Sequence, residues 1–340
     1  MSRRERISLV ATVLNEADSI RSWLASIERQ TRQPDELVLV DAGSSDGTLE
    51  QVAAAGPLPF PVRTDVAVGA NVPEGRNRAF ELATGTIVAV TDAGTTLEPT
   101  WLERLLAPIE GRLEVAVSAG FFAPGGDTPF ERLLATVITP RLRDVDPEAF
   151  LPSSRSVAVR REWWERAGGY PAWLRAGEDL VFDLRLKEQG ARFAFAPDAV
   201  VRWRPRSTLR GYFAQYRHYA RGDGHGLLWP GRHAARYGAY GLAVVLSVAA
   251  RRRPAVALAL PVLAPLHLTT FWRRVREERP FPTRRGMLAA YALTPAIVVV
   301  GDVAKMIGYP QGRWERWRSG GEEGLRRARL RSHRAPGAPR

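Results

Sequence analysis

An α/β fold, a mostly parallel sheet flanked by helices and followed by an apolar helical region, is what this sequence predicts, and three observations carry it. From residue 7 to about 120, short β-rich runs alternate with helical patterns, as in successive βαβ units. Three of the β-rich runs end in acidic or amide-bearing segments, "LNEAD", "DAGSSDG" and "TDAGT". From about residue 234 the composition shifts to apolar runs separated by arginines.

The elements follow in order. The first strand is "ISLVATVL" (7–14), and "DSIRSWLASIERQ" behind it sets Ile20, Trp23, Leu24 and Ile27 on one helical face. "ELVLV" (36–40) is a continuous buried strand, and "DGTLEQVAAAG" a helix closed by glycine. "VRTDVAV" (62–68), the helix "GRNRAFELATG", "TIVAVTD" (86–92), the helix "EPTWLERLLAPIE" and "EVAVSAGFF" (114–122) complete this half. Residues 123–156 are rich in Pro, Gly and charge, and read as a mobile substrate loop with one short helix. The segment 157–203 holds a strand, two helices and a second strand. The expected organisation is an α/β domain over 1–230, with halves 7–122 and 123–230, then an apolar helical region over 231–310 and a basic, partly disordered tail over 311–340.

Composition removes several chemistries. The 340 residues include no cysteine, so disulfides, thiolate metal sites and thiol nucleophiles are excluded, and the five histidines lack a zinc-like spacing. The net charge of +13 is nearly all arginine, since Lys187 and Lys305 are the only lysines. The net positive charge sits mainly after residue 200, where basic residues interleave with apolar runs, which disfavours a nucleic-acid groove. "MSRRERISLVATVLNEAD" has a basic start but only a short apolar stretch and no small-residue cleavage site, so it reads as the first strand of a cytoplasmic domain.

The strand ends carry the functional signal. Asp41 alone is compatible with turn chemistry, since carboxylates and glycines make turns and caps. Asn15 with Glu16, Asp41 and Asp92 together would converge on the crevice beyond the carboxyl ends of a parallel sheet, where carboxylates need donors or a cation. A nucleoside diphosphate supplies both.

In order and spacing, "VATVLNEADSI", "LVLVDAGSSDGT", "GRNRAFELATG", "VTDAGT" and "GEDLVFDLRL" resemble the family 2 glycosyltransferases of GT-A fold, over residues 7 to 225. The resemblance implies that Asn15 and Glu16 line the nucleotide pocket, that Asp41 accepts a hydrogen bond from the base, and that Arg76 or Arg78 faces the phosphates. It places Asp92 at the first acidic position of the metal and nucleotide motif, so a divalent cation, Mg or Mn, is expected there. One departure stands out: Gly94 occupies the position where the family usually has a second Asp.

Inverting sugar transfer needs a carboxylate that takes the acceptor's proton opposite the departing diphosphate. The resemblance assigns that base to Asp179, with Glu178 beside it, and a helix N-terminus favours the ionised form. Plain complementarity to a helix dipole explains the same two acids. "FAQYRHYARGDGHG" (213–226) partly matches the family's phosphate-binding element and makes Arg217, His218 or Arg221 the diphosphate contacts, although its tyrosines also suit a packed helix. On the acceptor side, Arg155, Trp163 and Trp164 are the candidates, with core packing the competing role for both tryptophans.

The apolar runs at 234–250, 254–271 and 286–301 are 16 to 18 residues long, close to the ~17–20 that span a bilayer, and arginines flank them. Two or three membrane segments are expected, attaching a cytoplasmic catalytic domain to the cell membrane. The function this implies is an inverting glycosyltransferase moving a sugar from a nucleotide donor to a lipid-linked or cell-envelope polysaccharide acceptor. A polyprenyl-phosphate glycosyl synthase and a non-catalytic nucleotide-binding scaffold are the alternatives.

Overall fold

A computed structural model describes residues 5–320, with the side chains of 257, 258 and 260–264 outside the description. Contacts divide the chain into two units, one comprising residues up to Pro124 together with Pro140–Arg204, the other Gly125–Thr139 together with the chain from Pro205 onward.

The first unit holds β1 (Ile7–Val13), α1 (Ile20–Glu28), β2 (Glu36–Asp41), α2 (Thr48–Ala53), β3 (Val62–Val66), α3 (Val72–Leu82), β4 (Ile87–Val90), β5 (Thr95–Leu97), α4 (Trp101–Leu106) and β6 (Val117–Pro124). In the second unit, α5 (Pro129–Ile138) follows. The chain then returns to the first with β7 (Val157–Arg160), α6 (Arg161–Ala167), α7 (Glu178–Glu188) and β8 (Phe193–Trp203). Among the described residues these eight strands form one sheet in the order β3-β2-β1-β4-β7-β6-β8-β5, with β1 parallel to β2 and β4, β2 parallel to β3, and β6 parallel to β8. Strands β7 and β5 run antiparallel to their neighbours.

Period-2 alternation makes this a two-faced core. Ile7, Leu9, Ala11 and Val13 of β1, Leu37 and Leu39 of β2, and Ile87 and Ala89 of β4 pack with Trp23 of α1 and Trp101 of α4. Val10, Val38, Val40, Val88 and Val90 point the other way, onto Phe80 of α3 and Phe182 and Leu186 of α7. Strands covered on both faces have no polar side, which is why "ELVLV" reads as a continuous apolar run.

Each expected strand is present, and segment 157–203 forms the strand, two helices and strand that its pattern predicts. The three-residue β5 is an addition, too short for periodicity to reveal and held by pairing with Val201–Trp203.

Between β1 and β2 lies a buried carboxylate. Ser8 Oγ donates to Glu36 Oε1 at 2.5 Å, and the N–H and hydroxyl of Thr84 donate to the same oxygen at 2.6 and 2.8 Å. Burial alone would raise the Glu36 carboxyl, but these bonds and the nearby Arg6 charge outweigh it and hold the group below its ordinary value. A carboxyl depressed on folding contributes stability above its unfolded-state pKa that is lost as pH falls. Stability measured by denaturant titration should therefore drop from about pH 5 toward pH 3, with a shallower drop in Glu36→Gln.

In the second unit, α8 (Leu209–Gly226), α9 (Pro230–Ala250), a short 3-10 segment (Pro254–Ala259), α10 (Leu260–Glu278) and α11 (Arg284–Arg318) join α5. Leu133, Leu134 and Val137 of α5 meet Tyr212, Leu268, Val275, Ala290, Ile297 and Val298 in its core. Helices α8 and α11 touch backbone to backbone: a Cβ on Gly308 would meet the Arg217 carbonyl, and one on Gly312 the Arg221 carbonyl. This small-residue seam explains why 205–230, expected within the α/β domain, groups with the C-terminal helices. Asp302 on α11 joins three helices, accepting from Arg236 Nε of α9 at 2.7 Å and Tyr240 OH at 3.2 Å, with His267 Nε2 of α10 at 3.0 Å.

Among the described residues one helix, α11, is long and apolar enough to cross a membrane, by length and composition. That is fewer than the two or three segments expected. The second apolar run is divided between the 3-10 segment and α10, which contains Pro265, and the first places Arg236 and Tyr240 toward Asp302. Of the basic, partly disordered tail expected over 311–340, 311–318 is helical, and 321–340 lies outside the described residues.

Candidate active site

The first unit places Asn15 and Glu16, Asp41 and Asp92 at the carboxyl ends of β1, β2 and β4. After β1 the chain turns sharply at Asn15, whose φ is +57°, a left-handed conformation that Asn tolerates better than most residues. Its N–H donates to Ser44 Oγ at 2.8 Å and its Oδ1 accepts from Ser45 N–H at 3.0 Å. The Glu16 N–H donates to Thr48 Oγ1 at 2.8 Å. Those bonds lock the loop after β1 against the loop after β2.

Asp41 is 1% exposed, and its two oxygens differ. Oδ1 accepts the N–H groups of Gly43 at 2.5 Å and Ser44 at 2.7 Å, which is the turn chemistry of an Asx loop. Oδ2 is buried without a hydrogen-bond partner among the described residues. A buried carboxylate oxygen left unsatisfied is costly, and a donor from a bound group would relieve it. Gly43 sits at φ +100°, a left-handed conformation that favours glycine, with the position of its missing Cβ 3.3 Å from Val68 Cγ1.

Asp92, after β4, is one of three charged groups in contact. Arg76 of α3 donates from Nη2 to Asp92 Oδ1 at 2.9 Å and from Nη1 to Glu178 Oε1 at 2.6 Å. Arg76 is 5% exposed, and its guanidinium lies over the Tyr170 ring, 5.6 Å from the centroid. Burial works against its charge, but Asp92 and Glu178 outweigh that and raise its pKa. The expectation that Arg76 faces the phosphates thus meets a guanidinium committed to two carboxylates. Arg78 lies exposed, paired with Asp65 at 2.7 Å.

Glu178 is the first residue of α7, after Gly177 at φ +74°. Burial and the neighbouring Asp179 push its carboxyl up, opposed by Arg76. Asp179, half-buried beside it, has Oδ1 2.9 Å from the N–H of Leu180. One turn on, Asp183 is buried with Oδ2 unpartnered among the described residues. Burial, with the Asp179 charge added, raises its carboxyl well above the ordinary range.

Arg155, expected on the acceptor side, lies with its Nε 3.6 Å from Asp92 Oδ2. It is framed by Trp203 and Phe122, at 5.5 and 5.8 Å to their centroids, and donates to Ser153 Oγ at 3.0 Å. The two tryptophans of α6 pack: Trp164 stacks on Phe80 with centroids 5.0 Å apart and donates to Asn77 Oδ1, while Trp163 carries the Arg166 guanidinium over its ring at 4.0 Å. The core reading of Trp164 is the one its contacts favour.

Arg217, His218 and Arg221 belong to α8 in the second unit, where Arg221 pairs with Glu315 of α11. Two residues that were not singled out as candidates complete the arrangement in the first unit. Asn77 accepts the Tyr170 N–H at 2.7 Å and donates to the Tyr170 carbonyl at 2.9 Å, and the Tyr170 ring supports Arg76. Their only sequence signal was position, Asn77 being next to Arg76 on an amphipathic helix.

The donor set fits a hard cation poorly. Such an ion prefers several oxygens, whereas "TDAGT" offers Asp92 with both oxygens turned to guanidiniums and Gly94 with no side chain. Among the described residues there is no group of three His, Asp or Glu that could hold one. Glu16 is nearest to the gap, its two oxygens 3.8 Å from where a Gly94 Cβ would stand.

Residues 8–166 match the family described as Glycosyl transferase family 2. Over 201 residues the chain is 27% identical to glycosyltransferase AglE of Haloferax volcanii, covering 57% of this chain and 65% of that protein. It is 24% identical over 213 residues to the O-antigen chain rhamnosyltransferase WbaN of Salmonella anatum, covering 57% of this chain and 64% of that protein. The matches thus span slightly under two thirds of these relatives' lengths. Among solved structures, the mannosyltransferase PcManGT from Pyrobaculum calidifontis in complex with GDP-Man and Mn2+ superposes with a TM-score of 0.53 at 20% identity, covering 93% of this chain and 87% of that one, a likeness of fold.

Proposed function

We propose that this chain, which belongs to the family 2 glycosyltransferases, moves a sugar with inversion from a nucleoside-diphosphate sugar to a lipid-linked or cell-envelope polysaccharide acceptor at the cytoplasmic face of a membrane. The observation that carries the reading is the Asp92–Arg76–Glu178 clasp, which ties the nucleotide-side acid after β4 to the acidic start of α7.

Asp179 then stands as the base. The acceptor hydroxyl gives its proton to Asp179, its oxygen bonds to the anomeric carbon, and the bond from that carbon to the diphosphate breaks with the electron pair passing to the leaving oxygen. Asn15, Glu16 and Asp41 form the nucleotide side, with Asp41 Oδ2 accepting from the base. The leaving diphosphate requires a positive counter-charge, for which Mg or Mn is the family expectation and the guanidiniums around Asp92 are what this chain contains.

Two features support a lipid-linked acceptor and membrane attachment: the length and composition of α11, and the exposed apolar side chains Leu242, Val244, Val245 and Val248 of α9 and Leu288, Leu293 and Val299 of α11. The O-antigen chemistry in the name of the WbaN relative points the same way.

Membranes containing the protein, supplied with labelled UDP-, GDP- and dTDP-sugars, should incorporate label into an organic-extractable or polysaccharide fraction from one donor. No incorporation from any donor would sink the proposal. Asp41→Asn replaces an acceptor with a donor opposite the base and should weaken affinity for that nucleotide by about tenfold or more. An unchanged affinity, measured by calorimetry, would remove Asp41 from base recognition.

A further inference from the structure

We infer that arginine side chains, Arg155 foremost, supply the positive charge that faces the donor's diphosphate at this site, in place of a divalent cation. This rests on the glycosyltransferase reading above and specifies how its leaving group is stabilised.

Two guanidiniums surround Asp92. Its Oδ1 is 2.9 Å from Arg76 Nη2 and its Oδ2 3.6 Å from Arg155 Nε, so each carboxylate oxygen already faces a positive charge. A divalent ion within bonding distance of either oxygen would lie a few ångströms from that charge, and like-charge contacts at that range are unfavourable. The second acid that would offset this is absent, Gly94 standing in its place.

The two arginines have different tasks. Arg76 is buried and divided between Asp92 and Glu178, which makes it a positioning residue. Arg155 is partly exposed, with 26% of its side chain open, and lies beside rather than beneath Asp92. Aromatic faces at Phe122 and Trp203 flank its guanidinium and limit its wandering. A guanidinium held in this way, with Nη1 bonded to Ser153, suits a phosphate oxygen, which accepts a charge-assisted hydrogen bond in a fixed direction. When the anomeric bond breaks, the electron pair left on the diphosphate falls beside a permanent cation that needs no recruitment.

The test uses the full chain in detergent and the nucleoside diphosphate selected from the UDP, GDP and dTDP panel, with the matching monophosphate as reference. Wild type should bind the diphosphate in excess EDTA within about twofold of its affinity in Mn2+, because the charge is already in place. Arg155→Ala should lose about tenfold or more of diphosphate affinity with little change for the monophosphate, and Arg155→Lys should recover part of the loss. Gly94→Asp, which brings a carboxylate toward Glu16, should convert binding to one that requires Mn2+.

If EDTA abolishes diphosphate binding by wild type and Mn2+ restores it, the inference is overturned while the glycosyltransferase reading stands. It is likewise overturned if Arg155→Ala, with an unchanged thermal midpoint, keeps the wild-type preference for diphosphate over monophosphate. Absence of nucleotide binding under both conditions would overturn the inference and the reading together.

Discussion

Replacing Asp179 with Asn is expected to lower sugar transfer by about 10²–10⁴-fold while donor affinity stays within about threefold of wild type. The substitution keeps the shape of the side chain and an oxygen able to accept from the Leu180 N–H, so the first turn of α7 should persist. It removes only the ability to take a proton. Loss confined to kcat, with KM unchanged, is the signature of a group that acts in the transition state.

Its neighbours make the assignment specific. Glu178 is bound to Arg76 at 2.6 Å, and Asp183 is buried, closed off from an acceptor, with a carboxyl that burial and the Asp179 charge raise well above its usual range. Asp183→Asn therefore serves as the control that leaves transfer nearly unchanged. If Asp179→Asn retained activity and Asp183→Asn lost it, the base would have to be reassigned along the helix.

Arg76→Met is expected to destabilise the protein by about 3–5 kcal/mol, read as a fall in the urea midpoint. The magnitude follows from what remains: Glu178, with a side chain 10% exposed, would be left buried without its partner, and Asp92 would lose its closest cation. A Glu178 carboxyl deprived of Arg76 is pushed further up, so the variant binds that proton more tightly folded than unfolded. Its stability relative to wild type should improve as pH falls through the carboxylate range. Adding Glu178→Gln should recover part of the loss, and the double-mutant cycle gives the coupling between the two side chains. A fully additive pair would show that the clasp is incidental to the fold.

Most of the sheet was legible because its longer strands and the helices between them each carry a local pattern. Strands β1, β2 and β4 are buried on both faces and read as apolar runs, and the helices between them carry period-3.6 faces such as Ile20, Trp23, Leu24 and Ile27. Strand β5 was not legible, since three residues carry no periodicity and its existence depends on β8, about a hundred residues later. The number of membrane segments was not legible for a related reason: apolar composition alone does not show that the α9 run exposes Leu242, Val244 and Val245 while its Arg236 and Tyr240 reach Asp302.

By itself the sequence determined the alternating α/β architecture, the position of Asn15, Glu16, Asp41 and Asp92 at strand ends, and the acidic start of α7 at Glu178 and Asp179. These are local properties: side-chain period, turn residues and helix-terminal charge act within a few residues of one another. Only the tertiary structure decided that Arg76 joins Asp92 to Glu178, that Arg155 approaches the other oxygen of Asp92, that Trp164 belongs to the core with Phe80, and that α8 groups with α11. The two bonds of Arg76 alone reach across 16 residues to Asp92 and 102 to Glu178. Which carboxylate an arginine finds is set by how the sheet stacks its helices, a many-body packing outcome that no short window of sequence contains.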